Sequence, residues 1–170
     1  MKHPNTYLEW SIILEEFGSG NNEKLAEMEK GSFDADAGTA SRFFNQIEKT
    51  YRKRKEQWLN SFTRSISINN IKSINDFELI IRGTNKKLIP IKNFIHLSSL
   101  PEDVKKILQE DFEKFLKEAK ESLKDSSPRL SNQREKFLLI LKSFGNIKSS
   151  DIPKKNNLGS NNNSGRKIIF

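Results

Sequence analysis

Four consecutive basic residues lie inside a helix-like stretch at residues 39–64. The run is Arg52, Lys53, Arg54 and Lys55. Four consecutive residues go more than once around a helix, so this turn is cationic on every side and cannot be fully buried without partners. Lysine and arginine at such a turn can neutralise phosphates and release the counterions that surround a nucleic acid. The run is therefore a candidate contact surface for an acidic partner.

Further basic residues extend this surface along the predicted helix and into residues 66–97, which we predict to form a hairpin beside it. The alternative is a solvated helix face, in which Glu48 and Glu56 pair with nearby Lys and Arg. Under the first interpretation, the candidate nucleic-acid contacts are Lys49, Arg52, Lys53, Arg54, Lys55, Arg64, Arg82, Lys86, Lys87 and Lys92.

The sequence shows no catalytic or metal-binding constellation. It contains no Cys, which excludes thiol nucleophiles, thiolate zinc sites and disulfides. Its only histidines are His3 and His96, and His96 lies in an apolar stretch where a structural role is expected. Asp34 and Asp36 resemble a cation-binding pair but lack a third ligand, so we favour a role at the start of the following helix. We therefore predict a protein that is not an enzyme and uses no metal and no cofactor.

The overall charge also favours an acidic partner, but it has a second explanation. The formal net charge is +8, from 30 basic and 22 acidic residues. The resulting positive potential would attract nucleic acid or acidic proteins. However, Lys outnumbers Arg, and Asn and Ile are abundant, which is the profile that an AT-rich coding sequence produces. The sequence does not separate a functional charge from an effect of base composition.

Hydrophobic periodicity predicts an α+β fold that is mainly α, with five helices and one small antiparallel β-hairpin between the third and fourth helices. The hairpin falls within residues 66–97, with a turn at residues 83–86 and Pro90 on an edge or bulged strand. Stripes of apolar residues and stop signals place the five helices at about residues 6–17, 22–30, 39–64, 101–123 and 131–144.

The length suits one domain followed by a tail. We predict a single helical domain at residues 1–145, with the hairpin as an insertion at about residues 66–97. Residues 146–170 are rich in Asn, Ser, Lys and Gly without an apolar stripe, which is typical of a disordered polar and basic tail. No apolar run approaches the ~20 residues that span a bilayer, so we expect a cytoplasmic protein with no membrane partner.

Two functions from different classes fit these features. The leading hypothesis is a small, non-enzymatic regulatory or accessory protein of bacterial type that binds nucleic acid through the basic helix and the hairpin, mainly by phosphate contacts. The alternative is an adaptor or chaperone-like protein that binds an acidic or apolar protein partner. For the alternative, Trp10, Trp58 and Phe62 are the candidate interface anchors, because large aromatic side chains supply much of the contact energy at interfaces. The sequence does not indicate the oligomeric state.

Overall fold

The computed structural model describes residues 3–33, 36–67, 71–125 and 132–147. Within these ranges the chain forms six helices and no strand. Residues 148–170, which hold most of the predicted disordered tail, lie outside the described ranges. The helices are α1 (Tyr7–Gly18), α2 (Lys24–Met28), α3 (Ala37–Ser65), α4 (Ile74–Ile95), α5 (Glu102–Asp125) and α6 (Arg134–Ser143).

The predicted α+β fold with five helices and a β-hairpin is wrong, because α4 occupies the place of the hairpin. α4 is a helix of 22 residues that continues through the predicted turn at residues 83–86. Gly83 and Pro90 inside it cost about 1 and about 3 kcal/mol relative to Ala. Each large apolar side chain that is buried stabilises the fold by about 1.5–3 kcal/mol. The buried apolar stripe of α4 outweighs that cost and consists of Ile74, Phe77, Ile81, Leu88, Ile91, Phe94 and Ile95.

α4 also has its own start signal. The Ser73 hydroxyl accepts a hydrogen bond from the Asp76 backbone N–H at 3.2 Å. The Asp76 carboxylate in turn accepts one from the Ser73 backbone N–H at 2.8 Å. This reciprocal capping box satisfies backbone donors that would otherwise lack a partner at the helix start. The same spacing of a serine and an acidic residue is present in the sequence, so the start of this helix could have been predicted from it, although its continuation through residues 83–86 could not.

α3 is the central helix and packs against α1, α4 and α5. Asp36 caps its start by accepting a hydrogen bond from the Thr39 backbone N–H at 2.8 Å, which confirms the predicted role of Asp36. Asp34, the other half of the candidate carboxylate pair, lies outside the described residues. The buried apolar side of α3 consists of Phe43, Ile47, Tyr51, Trp58 and Phe62.

α1 covers one side of α3, α2 packs against α1 and α4, and α5 and α6 complete the core. α6 runs parallel to α4, since Lys136 contacts Asn75 near the start of both helices and Ser143 contacts Asn85 further along. Of the described helices, none is both long enough and apolar enough to cross a membrane. The core therefore depends on α3 and α4, which are also the two helices that carry the candidate basic residues.

Candidate nucleic-acid interface

The three aromatic residues predicted as interface anchors lie in the hydrophobic core. Trp10 is 0% exposed, Trp58 4% and Phe62 3%. The Trp58 ring stacks on Phe62 at 4.7 Å between centroids, and its indole N–H donates to the Thr84 carbonyl at 3.2 Å. Trp10 and Phe62 therefore present almost no surface to a partner, and Trp58 reaches the surface only in the lining of a cleft between α3 and α4. The exposed basic residues are the candidates that remain.

The helical geometry of α3 places the four consecutive basic residues in different surroundings. Arg52 forms an ion pair of 2.6 Å with Glu48, one turn earlier on the same exposed face. The Lys53 amine lies 3.3 Å from the Ser19 hydroxyl, beside the end of α1. Arg54 and Lys55 are only partly exposed and contact other helices. The run is therefore not a single surface.

Arg54 joins the turn between α1 and α2 to the centre of α3. Its Nη2 donates to Asn22 Oδ1 at 2.6 Å, and its guanidinium lies 4.8 Å from the centroid of the Phe17 ring. Burial lowers the pKa of the guanidinium from its ordinary value. Part of this side chain therefore packs against the fold, while its terminal nitrogens donate to Asn22 and Gln57 in the lining of a cleft between α3 and α4.

Lys55 belongs to a polar cluster that joins α3 to α5. Its amine lies 2.6 Å from Asp111 Oδ2, and the Tyr51 hydroxyl donates to the same oxygen at 2.8 Å. Burial alone would raise the pKa of Asp111, but the hydrogen bonds from Lys55 and Tyr51 outweigh it and hold that pKa below the ordinary value. Burial, and next the bond to Asp111, raise the pKa of Tyr51. We infer a structural role for Lys55.

This cluster predicts a pH dependence of stability. The pKa of Asp111 is lower in the folded chain than in the unfolded chain. The ionised carboxylate therefore stabilises the fold fully above the ordinary carboxyl pKa, and this stabilisation is lost as the pH falls through the pKa of the folded chain. Asp111→Asn should therefore lose less stability than the wild type between about pH 5 and 3. The difference should not exceed about 1 kcal/mol, because Asp111 is 46% exposed and water screens the pair. Urea unfolding across that pH range measures the difference, with the exposed Glu110→Gln as the control. An equal loss of stability in the wild type and in Asp111→Asn as the pH falls would contradict this prediction.

A cleft between α3 and α4 brings together basic residues that are far apart in sequence. Arg54 lies on one side, and Lys86 and Lys87 lie on the other. The Lys87 amine crosses the cleft and donates to the Ser61 hydroxyl at 2.6 Å. Within the described part of the chain, no carboxylate lines this cleft. We call it the α3–α4 cleft, and its lining residues are Asn22, Arg54, Gln57, Trp58, Ser61, Lys86, Lys87, Pro90 and Ile91.

The basic surface continues from both sides of the α3–α4 cleft. On α3 it reaches a shallow hollow that shares Gln57 and Ser61 with the cleft and ends at Arg64. On α4 it shares Lys86 with a hollow that contains Arg82. As far as the described residues go, neither hollow has a carboxylate in its lining, although Arg82 pairs with Glu78 at 2.5 Å. The cleft is thus the centre of a longer cationic surface.

The other candidate cations lie outside the cleft. Lys49, Arg52 and Lys53 line a separate hollow on α3 together with Glu48 and Glu56, so the charge there is mixed. The amine of Lys92 donates to the Ile147 carbonyl at 3.1 Å, where it holds the segment after α6 against α4. The structure thus groups Arg54, Lys86 and Lys87, with Arg64 and Arg82 beside them, and it separates the remaining candidates from that group.

Sequence reasoning did not identify the polar residues of the cleft, which are Asn22, Gln57 and Ser61. Arg54, Gln57 and Ser61 follow one another at helical spacing, so the sequence did contain a signal that they share a face of α3. Asn22 carried no such signal, because its place beside Arg54 depends on how the connection between α1 and α2 lies against α3.

Comparison with known proteins gives no match for this chain among family models, curated proteins or solved structures. In the described part of the chain, His, Asp and Glu side chains do not form a group of three that could hold a metal ion. We therefore infer a function from the geometry and charge of the α3–α4 cleft.

Proposed function

We propose that this chain is a small non-enzymatic regulatory or accessory protein that binds the phosphate backbone of nucleic acid through the α3–α4 cleft. One observation carries the proposal. Arg54, Lys86 and Lys87, from two different helices, surround one cleft in which the described lining contains no carboxylate. Concentrated positive charge without compensating acids would draw in a polyanion and release its counterions.

The packing of α3 and α4 supports phosphate contacts rather than reading of base edges. An α-helix that reads sequence enters the major groove, which is about 12 Å wide, and so must project from the protein. α3 packs against α1, α4 and α5, and α4 packs against α2, α3, α5 and α6. Their exposed sides can meet phosphates at the surface of a nucleic acid. Modest sequence specificity and a steep dependence on salt are therefore expected.

Reversing the charge of Lys86 and Lys87 tests the proposal. We expect Lys86→Glu/Lys87→Glu to bind roughly 100-fold more weakly at low salt and to show a salt slope shallower by about 2, since two phosphate contacts are lost. Fluorescence anisotropy with labelled duplex DNA, single-stranded DNA and RNA, from about 50 to 300 mM salt, measures both quantities. Both lysines are exposed, so the fold should be retained, and circular dichroism checks this.

A matched control separates the cleft from the net charge. Lys106 and Lys117 are exposed on α5, and reversing both changes the net charge by the same amount away from the cleft. Equal loss of affinity in the two double variants would contradict the assignment to the cleft. Failure of the wild type to bind any nucleic acid at about 50 mM salt would contradict the proposed function itself. That result would favour the protein-binding alternative, for which Leu8 and Ile12 are exposed apolar contacts one turn apart on α1.

A further inference from the structure

Gly83 leaves a gap in the side-chain surface of α4. It lies near the middle of the helix and is exposed, and a Cβ atom built there would meet nothing within 4 Å. Glycine inside a helix is destabilising relative to alanine, because it loses more backbone freedom on folding. No neighbour in the described structure requires that a side chain be absent at this position. The packing of the fold therefore does not explain Gly83.

Basic side chains flank this gap. Lys86 and Lys87 follow Gly83 by three and four residues, so they lie next to it on the helix surface. Side chains of a helix lean toward its N-terminus, which directs the stems of both lysines back over the turn that contains Gly83. Leu79 lies one turn before the gap and is 68% exposed. The gap is thus open to solvent and lies beside two cations of the α3–α4 cleft.

We propose that the bare backbone at Gly83 is where a phosphodiester group of the bound nucleic acid approaches α4 most closely. This inference rests on the proposed function and names the point of contact. The absence of a Cβ lets a phosphate come near the main chain of α4. There it would lie one helical turn from Lys86 and Lys87, whose positive charge is complementary to its own, and the Lys87 amine would exchange its bond to the Ser61 hydroxyl for one to the phosphate. On this account the glycine costs stability and contributes to binding.

Two substitutions of increasing size test the inference. They fill the gap at position 83 without changing the charge of the surface, so an effect on binding would come from the lost space. Gly83→Ala and Gly83→Leu should each raise the melting temperature, by about 2–4 °C, since both are better helix formers in open space. Affinity for labelled duplex DNA, single-stranded DNA and RNA should nevertheless fall, more for Leu than for Ala. For Leu we expect a loss of roughly tenfold, the effect of one lost charge-assisted contact. The three probes show which form of nucleic acid uses the gap.

Gly38 provides the matched control. It is also an exposed helical glycine, and a Cβ there would meet only Asp36 Oδ1 at 3.7 Å. Gly38→Leu should leave the affinity unchanged. Wild-type affinity in Gly83→Leu, with weak binding by Lys86→Glu/Lys87→Glu, would overturn this inference and leave the proposed function standing. Wild-type affinity in both variants would overturn both.

Discussion

Replacing Trp58 with Ala is expected to lower the free energy of unfolding by about 3–5 kcal/mol. The Trp58 ring contacts Phe62 of α3, and it meets Phe115 of α5 edge-on at 5.0 Å between centroids. It also contacts Phe144, directly after α6, and it donates to the Thr84 carbonyl of α4. One side chain therefore joins four helical segments, and its removal leaves a cavity that all of them would have to close.

Urea unfolding followed by far-ultraviolet circular dichroism measures this loss. Trp10 is the only other tryptophan, so its fluorescence then reports on the α1 side of the core alone. Leu79→Ala is the control, because Leu79 is 68% exposed and its removal should change stability by no more than about 0.5 kcal/mol. A loss below about 1 kcal/mol for Trp58→Ala would contradict the aromatic core described here.

Gly31→Ala is expected to destabilise the fold by roughly 2–3 kcal/mol through overpacking. A Cβ at Gly31 would lie 2.5 Å from Cζ2 of Trp10 and 2.9 Å from Cγ of Pro4. Trp10 cannot move aside easily, because its indole N–H donates to the Ser32 carbonyl at 2.9 Å and its ring packs edge-on against Phe43 at 5.2 Å. The added methyl group would therefore have to displace a buried side chain.

A double-mutant cycle assigns that cost to its source. Trp10→Phe removes the part of the ring that the new methyl group would meet, so Gly31→Ala should cost less in the Trp10→Phe background than in the wild type. Thermal or urea unfolding of the four proteins measures the coupling. Gly38→Ala, where the Cβ has only ordinary contacts, should not be destabilising. Additive effects of the two substitutions would contradict a clash between these residues.

The helices with unbroken apolar stripes could be predicted from local sequence. In α1, Trp10, Ile13, Leu14 and Phe17 recur at helical spacing and are all buried. In α4 the stripe passes through Gly83-Thr84-Asn85-Lys86, a tetrapeptide whose composition favours a turn. Local propensity is a weak preference that buried side chains override, so the hairpin prediction failed where local signals and packing disagreed.

In the candidate site, too, contacts within one helix could be predicted from the sequence, whereas contacts between helices could not. The ion pair between Arg52 and Glu48 joins residues one helical turn apart, and the sequence indicated it. The pair between Lys55 and Asp111 joins α3 to α5, and the cleft that Arg54 shares with Lys86 joins α3 to α4. No local spacing indicates which cations of a basic run meet an acid from another helix.

By itself the sequence determined the helical character of α1, α2, α3, α5 and α6, the absence of cysteine chemistry and the excess of positive charge. These properties depend on composition and on contacts within a few residues. Only the tertiary structure decided that residues 74–95 are one helix, that Trp10, Trp58 and Phe62 are buried, and which cations line the α3–α4 cleft. The physical reason is that burial and charge compensation depend on neighbours that are distant along the chain and come together only when the helices pack.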